Sequence, residues 1–498
     1  MYNTTSRTLG IWLGFPQQLS MKREGISRFL YYLVKYLLIN YPINFEIWCY
    51  DCNYTEVSEI FLELTSNRLY TNRIHIISEK SLPKYKTSRT EAFKNGLQII
   101  SDMIMHASIT HWKEPYRSYK EYSNILPESK RKPHVYIVDS MAVIILLFLG
   151  FLAAVIRRIT LRKIPLIIKS KKHDIIDRLS YFANIHSKAD FFLIPIITLN
   201  NALYLHKNKL VFIHDLAPLV YYDHFAEEKT MNNTALNDYK KNINKFAEQG
   251  CYFCSNSDYV RRNHTLKYID GVKEEKTGFV YVPVNIPEHI SDRILSRDDI
   301  LRKYPIKMDY LFYPTQIRPY KNVITLVKTL KILIDKGIKL QLILTGYLEH
   351  ALKIKEYIEA TSLNDYVTST GDVPEIDLYS LHKYALATVV PTLFEGGFPW
   401  QGLEAMLMDT PAIMSKIPVT IERLKFNGFD PENCGLKLFD PENAEELASK
   451  ILEIMKNRDK AVKEQQSVKN RLFSYTWTNA SKLYYELFER IIEKTDGK

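Results

Sequence analysis

The 498-residue sequence holds no low-complexity tract and no short-period repeat. That excludes solenoids and disordered scaffolds. Its opening stretch, MYNTTSRTLGIWLGF, has no charged segment leading into a cleavable apolar core, so a first strand is expected there and not a signal peptide. Cysteine is scarce. Five in this length do not make a disulfide framework. Two pairs, Cys49/Cys52 and Cys251/Cys254, have the CxxC spacing that could supply zinc thiolates. CYFCSNS reads instead as a buried strand, on which i and i+3 face opposite sides. Reduced, structural thiols in a cytosolic compartment are therefore expected. No aromatic–basic interleaving marks a nucleic-acid module.

An apolar run long enough to cross a bilayer, roughly 20 residues, is also lacking in the most hydrophobic segment. Residues 141–156, MAVIILLFLGFLAAVI, are sixteen apolar residues without a charge. Directly after them, residues 157–172 read RRITLRKIPLIIKSKK, with seven basic residues and no acid. An apolar run followed by a basic run suits a helix dipping into a cytoplasmic leaflet with its cations at anionic headgroups. A buried core helix is the alternative. The membrane reading places Met141, Leu146, Phe148 and Phe151 in the acyl boundary and Arg157, Arg158 and Lys163 at the headgroups. It also accounts for part of the net charge of +11.

What is present is ordinary for a folded protein: 46% hydrophobic and 25% charged residues. The length predicts two domains. TLGIWLGF, FEIWCY and IHIIS read as strands separated by the helices GISRFLYYLVKYLL and SEIFLELTS. A large insertion at about 82–174 breaks this rhythm, and strands resume at DFFLIPII, KLVFIHDL, CYFCSNS and GFVYVPVNI. After a polar linker the alternation restarts at DYLFYPT and continues through KLQLILTG, YVTSTG, ATVVPT and PAIMS. Strand–helix alternation of this kind predicts parallel sheets covered by helices. The expected fold is α/β, two doubly wound Rossmann-like domains facing across a cleft. The expected spans are 1–300, 301–475 and a C-terminal helix, 476–498, packing back on the first domain.

In such sheets ligands sit beyond the carboxyl ends of strands, at helix N-termini. Gly396 and Gly397 follow the strand VVPTLF and can bring backbone N–H groups to a phosphate. Glu404, on the next helix, suits a vicinal diol such as ribose. Lys321, preceded by Arg318 on another loop, could neutralise a leaving diphosphate. The plainer alternatives are a solvated loop carboxylate at Glu395, a surface charge at Lys321, and a core histidine at His214 with Asp215 capping a helix.

The run PTLFEGGFPWQGLEAMLMDTPAI resembles the E-x7-E region of retaining GT-B glycosyltransferases of family 4. The resemblance extends through LFYPTQIRPYKN, LILTG, TGDVPEIDLYSLHKYA and GLKLFDPENAEELA. In the N-terminal half, LVFIHDLAPLVYYDHF is similar to the segment carrying that family's active-site histidine. The resemblance implies roles. Glu395 would hold the donor sugar, Gly396, Gly397 and Phe398 would line the donor site, and Glu404 would bind the nucleotide ribose. Lys321 and Arg318 would serve the diphosphate, with Thr315 beside them. His214, Asp215 and Gly25 would lie on the acceptor side.

It also implies retaining transfer of a hexose from a nucleotide-diphosphate sugar to an acceptor hydroxyl, and the apolar and basic segment 141–172, placed in the acceptor domain, points to a lipid-linked or membrane-proximal glycan on the inner face of the cell membrane. GDP-mannose is favoured over a UDP-hexose. No DxD occurs anywhere in the chain, so this reading requires no divalent metal, and no cofactor beyond the nucleotide sugar and no nucleic-acid partner are expected. A nucleotide-sugar epimerase or hydrolase, or a non-catalytic glycan-binding protein, are the alternatives. One departure stands out: eight residues, GGFPWQGL, separate Glu395 from Glu404. That is one more than the motif has, and the extra residue is expected to be absorbed near Pro399.

Overall fold

The computed structural model describes residues 7–18, 25–81, 178–221, 232–284 and 293–496. All of them belong to one compact unit, Met1–Ser81 with Ile176–Lys498. The predicted insertion at 82–174 and the membrane residues Met141, Leu146, Phe148, Phe151, Arg157, Arg158 and Lys163 lie outside the described residues. Among the described residues no helix is long and apolar enough to cross a membrane.

Among the described residues two sheets are present, and every strand pair in them is parallel. The first contains β1 (Arg7–Leu13), β2 (Ile43–Cys49), β3 (Ile74–Ile77), β4 (Phe191–Ile194), β5 (Lys209–Ile213), β6 (Tyr252–Ser255) and β7 (Thr277–Phe279). Their order is β3-β2-β1-β4-β5-β6-β7. The second contains β8 (Tyr310–Tyr313), β9 (Gln341–Leu344), β10 (Val367–Ser369), β11 (Ala387–Val390), β12 (Ala412–Ser415) and β13 (Lys437–Phe439). Their order is β10-β9-β8-β11-β12-β13. Each order runs outward from its first strand in both directions, as in dinucleotide-binding sheets. The switch points fall between β1 and β4 and between β8 and β11.

The central strands are continuous buried runs: YLFY, QLIL, ATVV and AIMS are buried at every position. That is the pattern of strands covered on both faces by helices. Leu342, Leu344, Val389 and Met414 pack with Leu326, Leu330 and Met406 from the covering helices. The helix Ala444–Lys456 starts where Asn443 accepts a hydrogen bond from the Glu446 backbone at 3.0 Å, which satisfies one orphan donor of its first turn.

The C-terminal helix, Trp477–Asp496, packs against the first domain. Its Trp477 is fully buried against Phe29 and stacked on Tyr32 of α1 (Gly25–Asn40). Tyr485 stacks on Tyr41 with ring centroids 4.0 Å apart, and Phe488 meets Phe191 of β4. Cys49, Cys251 and Cys254 are buried free thiols and Cys52 is exposed.

Candidate active site

The loops leaving β8 and β11 meet at the switch point of the second sheet. They are stitched together by the main chain. Leu393 N donates to the Tyr320 carbonyl at 2.8 Å, and Thr392 Oγ1 donates to the same oxygen at 3.0 Å. Asn322, in the left-handed region at φ 54°, donates its amide to the carbonyls of Pro391 and Pro441. This stitching puts Lys321 over Glu395, and their ion pair measures 2.5 Å. Both side chains are largely buried, 13% and 18% exposed, so the charges face each other with little solvent screening. Tyr320 lies under the lysine ammonium, 5.2 Å from its ring centre.

Thr315 is buried, its N–H donating to Thr345 Oγ1 at 2.9 Å. Arg318 donates to Gln316 Oε1 at 2.7 Å and Tyr320 OH at 3.1 Å. Phe398 turns into the core of the second domain. The helix Trp400–Leu407 begins directly after Pro399, and Glu404 lies on its buried face.

The first domain supplies the opposing wall. His214 follows β5. Its Nε2 lies 2.9 Å from the Pro195 carbonyl, and its Nδ1 lies 2.9 Å from Asn256 Nδ2. A carbonyl can only accept, so Nε2 carries the proton and Nδ1 accepts from the amide. Burial lowers the His214 pKa against the opposing pull of Asp215, which keeps this ring neutral near pH 7. Asp215 Oδ1 accepts from Ala217 N at 2.9 Å, as a turn cap does. Gly25 opens α1, and no described residue stands within 4 Å of where its Cβ would be.

The two domains touch at the glycines. A Cβ on Gly396 would stand 1.8 Å from the His214 carbonyl oxygen, so only glycine admits this approach. Ser257 Oγ donates to the Gly396 carbonyl at 2.9 Å, and Asn256 lies beside Gly397. His264 stacks on Phe394, centroids 4.9 Å apart.

Sequence reasoning passed over several residues here. Arg28, in the first turn of α1, crosses to Glu404: Nη1 donates to Oε1 at 3.0 Å and Nη2 to Tyr379 OH at 3.0 Å. Asn256 fixes His214, and its Oδ1 is buried with no partner among the described residues. Arg28 lies three residues beyond Gly25 on the helix GISRFLYYLVKYLL, where no polar side chain was singled out. Asn256 lies in SNS at a strand end, which was the available signal. Glu404 is deeply buried, which works to raise its pKa. His382 and Arg28 outweigh that and hold the carboxyl below its ordinary value.

Residues 296–471 match the protein family described as glycosyl transferases group 1. The second domain is a group 1 glycosyl transferase domain. Lys321, Glu395, the glycine pair and Glu404 all fall inside it. The O-antigen chain mannosyltransferase RfbU of Salmonella typhimurium is 26% identical over 230 residues, 46% of this chain and 58% of that protein. The chain thus matches somewhat over half the length of that curated relative. Sucrose-phosphate synthase from Thermosynechococcus elongatus superposes with a TM-score of 0.57 at 12% identity, covering 98% of this chain and 100% of that one. Anabaena Alr3699/HepE, solved in complex with UDP-glucose, gives 0.55 at 11% identity, covering 97% and 99%. At these identities what is shared is the fold. It is GT-B, with the group 1 domain as its second half.

Proposed function

We propose that the chain is a retaining hexosyltransferase. It moves a hexose from a nucleotide-diphosphate sugar to a hydroxyl of a lipid-linked or membrane-proximal glycan. The observation that carries this reading is the Lys321–Glu395 pair, held at the β8/β11 switch point of a group 1 domain and facing the His214 loop. In the reaction the anomeric C–O bond to the diphosphate breaks and a bond to the acceptor oxygen forms on the same face. The acceptor's proton leaves with the diphosphate or to solvent. Lys321 and the Gly396 and Gly397 amides answer the charge growing on the diphosphate. Glu395 orients the sugar hydroxyls, and Glu404 takes the ribose diol. Approach of the two domains excludes water and limits hydrolysis.

GDP-mannose is the first donor to test, in keeping with the mannosyltransferase named above, and a UDP-hexose the second. The site proposed needs no divalent metal, because Lys321 supplies the positive charge at the leaving group. Residues 141–172 would hold the enzyme on the cytoplasmic face of the membrane, beside its acceptor.

The test is incubation of the chain with radiolabelled nucleotide sugars, with and without a membrane lipid extract. Label entering lipid supports the transferase. Free sugar or an epimer indicates a hydrolase or epimerase, and binding without turnover indicates a non-catalytic binding protein.

A further inference from the structure

The side chain of Arg28 belongs to the first domain, but its hydrogen-bond and ion-pair partners among the described residues belong to the second. Its two terminal nitrogens bond Glu404 Oε1 and Tyr379 OH, both at 3.0 Å. Its guanidinium carbon stands 5.3 Å from the ring centre of Trp400, and Glu375 lies 3.9 Å away. Trp400 comes from the segment that is one residue longer than the motif it resembles. Glu404 is 5% exposed and Arg28 27%. The second carboxylate oxygen, Oε2, faces His382 Nε2 at 3.7 Å, beyond hydrogen-bond reach. His382 is itself anchored through Nδ1 to Thr388 Oγ1 on β11 at 2.8 Å.

A carboxylate that takes a diol must be ionised and fixed in direction. Deep in a protein, ionisation needs a cation nearby, since burial favours the neutral acid. For Glu404 that cation crosses from the other domain. The position of α1 that delivers it is fixed in turn by Trp477 of the C-terminal helix, packed on Phe29 and Tyr32.

We propose that Arg28 is a positioning residue of the donor site. It holds Glu404 charged and turned toward the nucleotide ribose, so that this subsite is complete only while the two domains are together. The proposal rests on the transferase reading, which gives Glu404 its ribose. Donor binding and domain approach are then one linked equilibrium: whichever favours the joined state favours the other.

The experiment measures binding of UDP and of GDP to the full chain by calorimetry, alongside donor KM and kcat. In Arg28→Ala the better-bound nucleotide is expected to weaken about tenfold or more, the scale of a lost charge-assisted bond. Donor KM rises in step and kcat at saturating donor stays within about twofold. Arg28→Lys is expected to lie between, keeping charge but losing the second bond and the stacking on Trp400. Tyr379→Phe, a milder change that removes one hydroxyl, gives a smaller shift of the same sign and covers the case in which Arg28→Ala does not fold. In a Glu404→Gln background, Arg28→Ala adds no further loss.

Unchanged nucleotide affinity in Arg28→Ala overturns the proposal and leaves the transferase reading standing. So does tighter binding, which would make Arg28 a competitor of the ribose, and so does an equal loss in the Glu404→Gln background. A wild-type chain that binds neither nucleotide overturns both.

Discussion

Lys321 is held by main-chain bonds on both sides of it and by Glu395 in front, so its ammonium has little freedom to be replaced by another cation. Lys321→Ala is expected to lower kcat by about a hundredfold or more, the usual cost of removing one preorganised charge from a reacting centre. Donor KM should move much less; steady-state kinetics with the active nucleotide sugar separates the two. Glu404 carries a structural cost as well. Glu404→Ala leaves Arg28 with only the more distant Glu375 as counter-ion, and breaking a buried pair from one side costs about 3 kcal/mol, the low end of the range because Glu375 remains and Arg28 is 27% exposed. A denaturant titration read by tryptophan fluorescence measures it.

At the scale of elements, the strands were legible because each is a short apolar run bounded by turn residues. β8, β9, β11 and β12 are buried at every position, and runs of that kind need no partner to be recognised. The helix Arg458–Phe473 was not read. Only Ala461, Gln465, Val468 and Leu472 are buried on it, a stripe with one polar member. Gln465 earns its place through bonds to the Thr410 carbonyl at 2.8 Å and from Ala412 N at 3.0 Å, and no periodicity announces that. The helix Asn233–Glu248 buries only Ile243 and Phe246 and was missed for the same reason. β13, the three residues Lys437–Phe439, was not read as a strand either.

The glycine pair shows the limit differently. The sequence marks Gly396 as a place where something comes close, and the structure identifies a neighbour, the His214 carbonyl. Gly396→Ala should hold the two walls apart and cost about a hundredfold in transfer, as a displacement of about 1 Å can. Far-UV circular dichroism should be unchanged, since each sheet keeps its own core.

For the molecule as a whole, pairings between distant parts of the chain were beyond sequence reasoning. Arg28 and Glu404 are 376 positions apart, and neither residue type signals the other. The same joint between domains carries a pH dependence. His264 Nδ1 accepts from Leu216 N at 3.2 Å, and its ring stacks on Phe394. Burial pushes its pKa from 6.5 down to about 4. The unfolded chain therefore binds this proton first as pH falls. Stability is unaffected by this group above about pH 6.5, declines between about 6.5 and 4, and levels off below. The total is about 3 kcal/mol. Urea unfolding at pH 7.0 and 4.5 should show the loss, and His264→Gln should flatten it. The Glu404 carboxyl, held below its ordinary value, acts in a lower window: its contribution is present above about pH 4.5 and is lost as pH falls through its folded pKa.

The C-terminal helix has a consequence for how the chain is made. Trp477, Tyr484 and Phe488 are buried in contact with Phe29, Phe212 and Phe191 of the first domain. The ribosome releases those first-domain residues before the second domain and the helix only after it. Until the helix emerges, the surface that it will cover is apolar and open to water. The group 1 domain, encoded between them, has its own core and can form in the meantime. The first domain is thus completed only after the domain that follows it in the chain, and a chaperone guarding the nascent chain would find its target on α1.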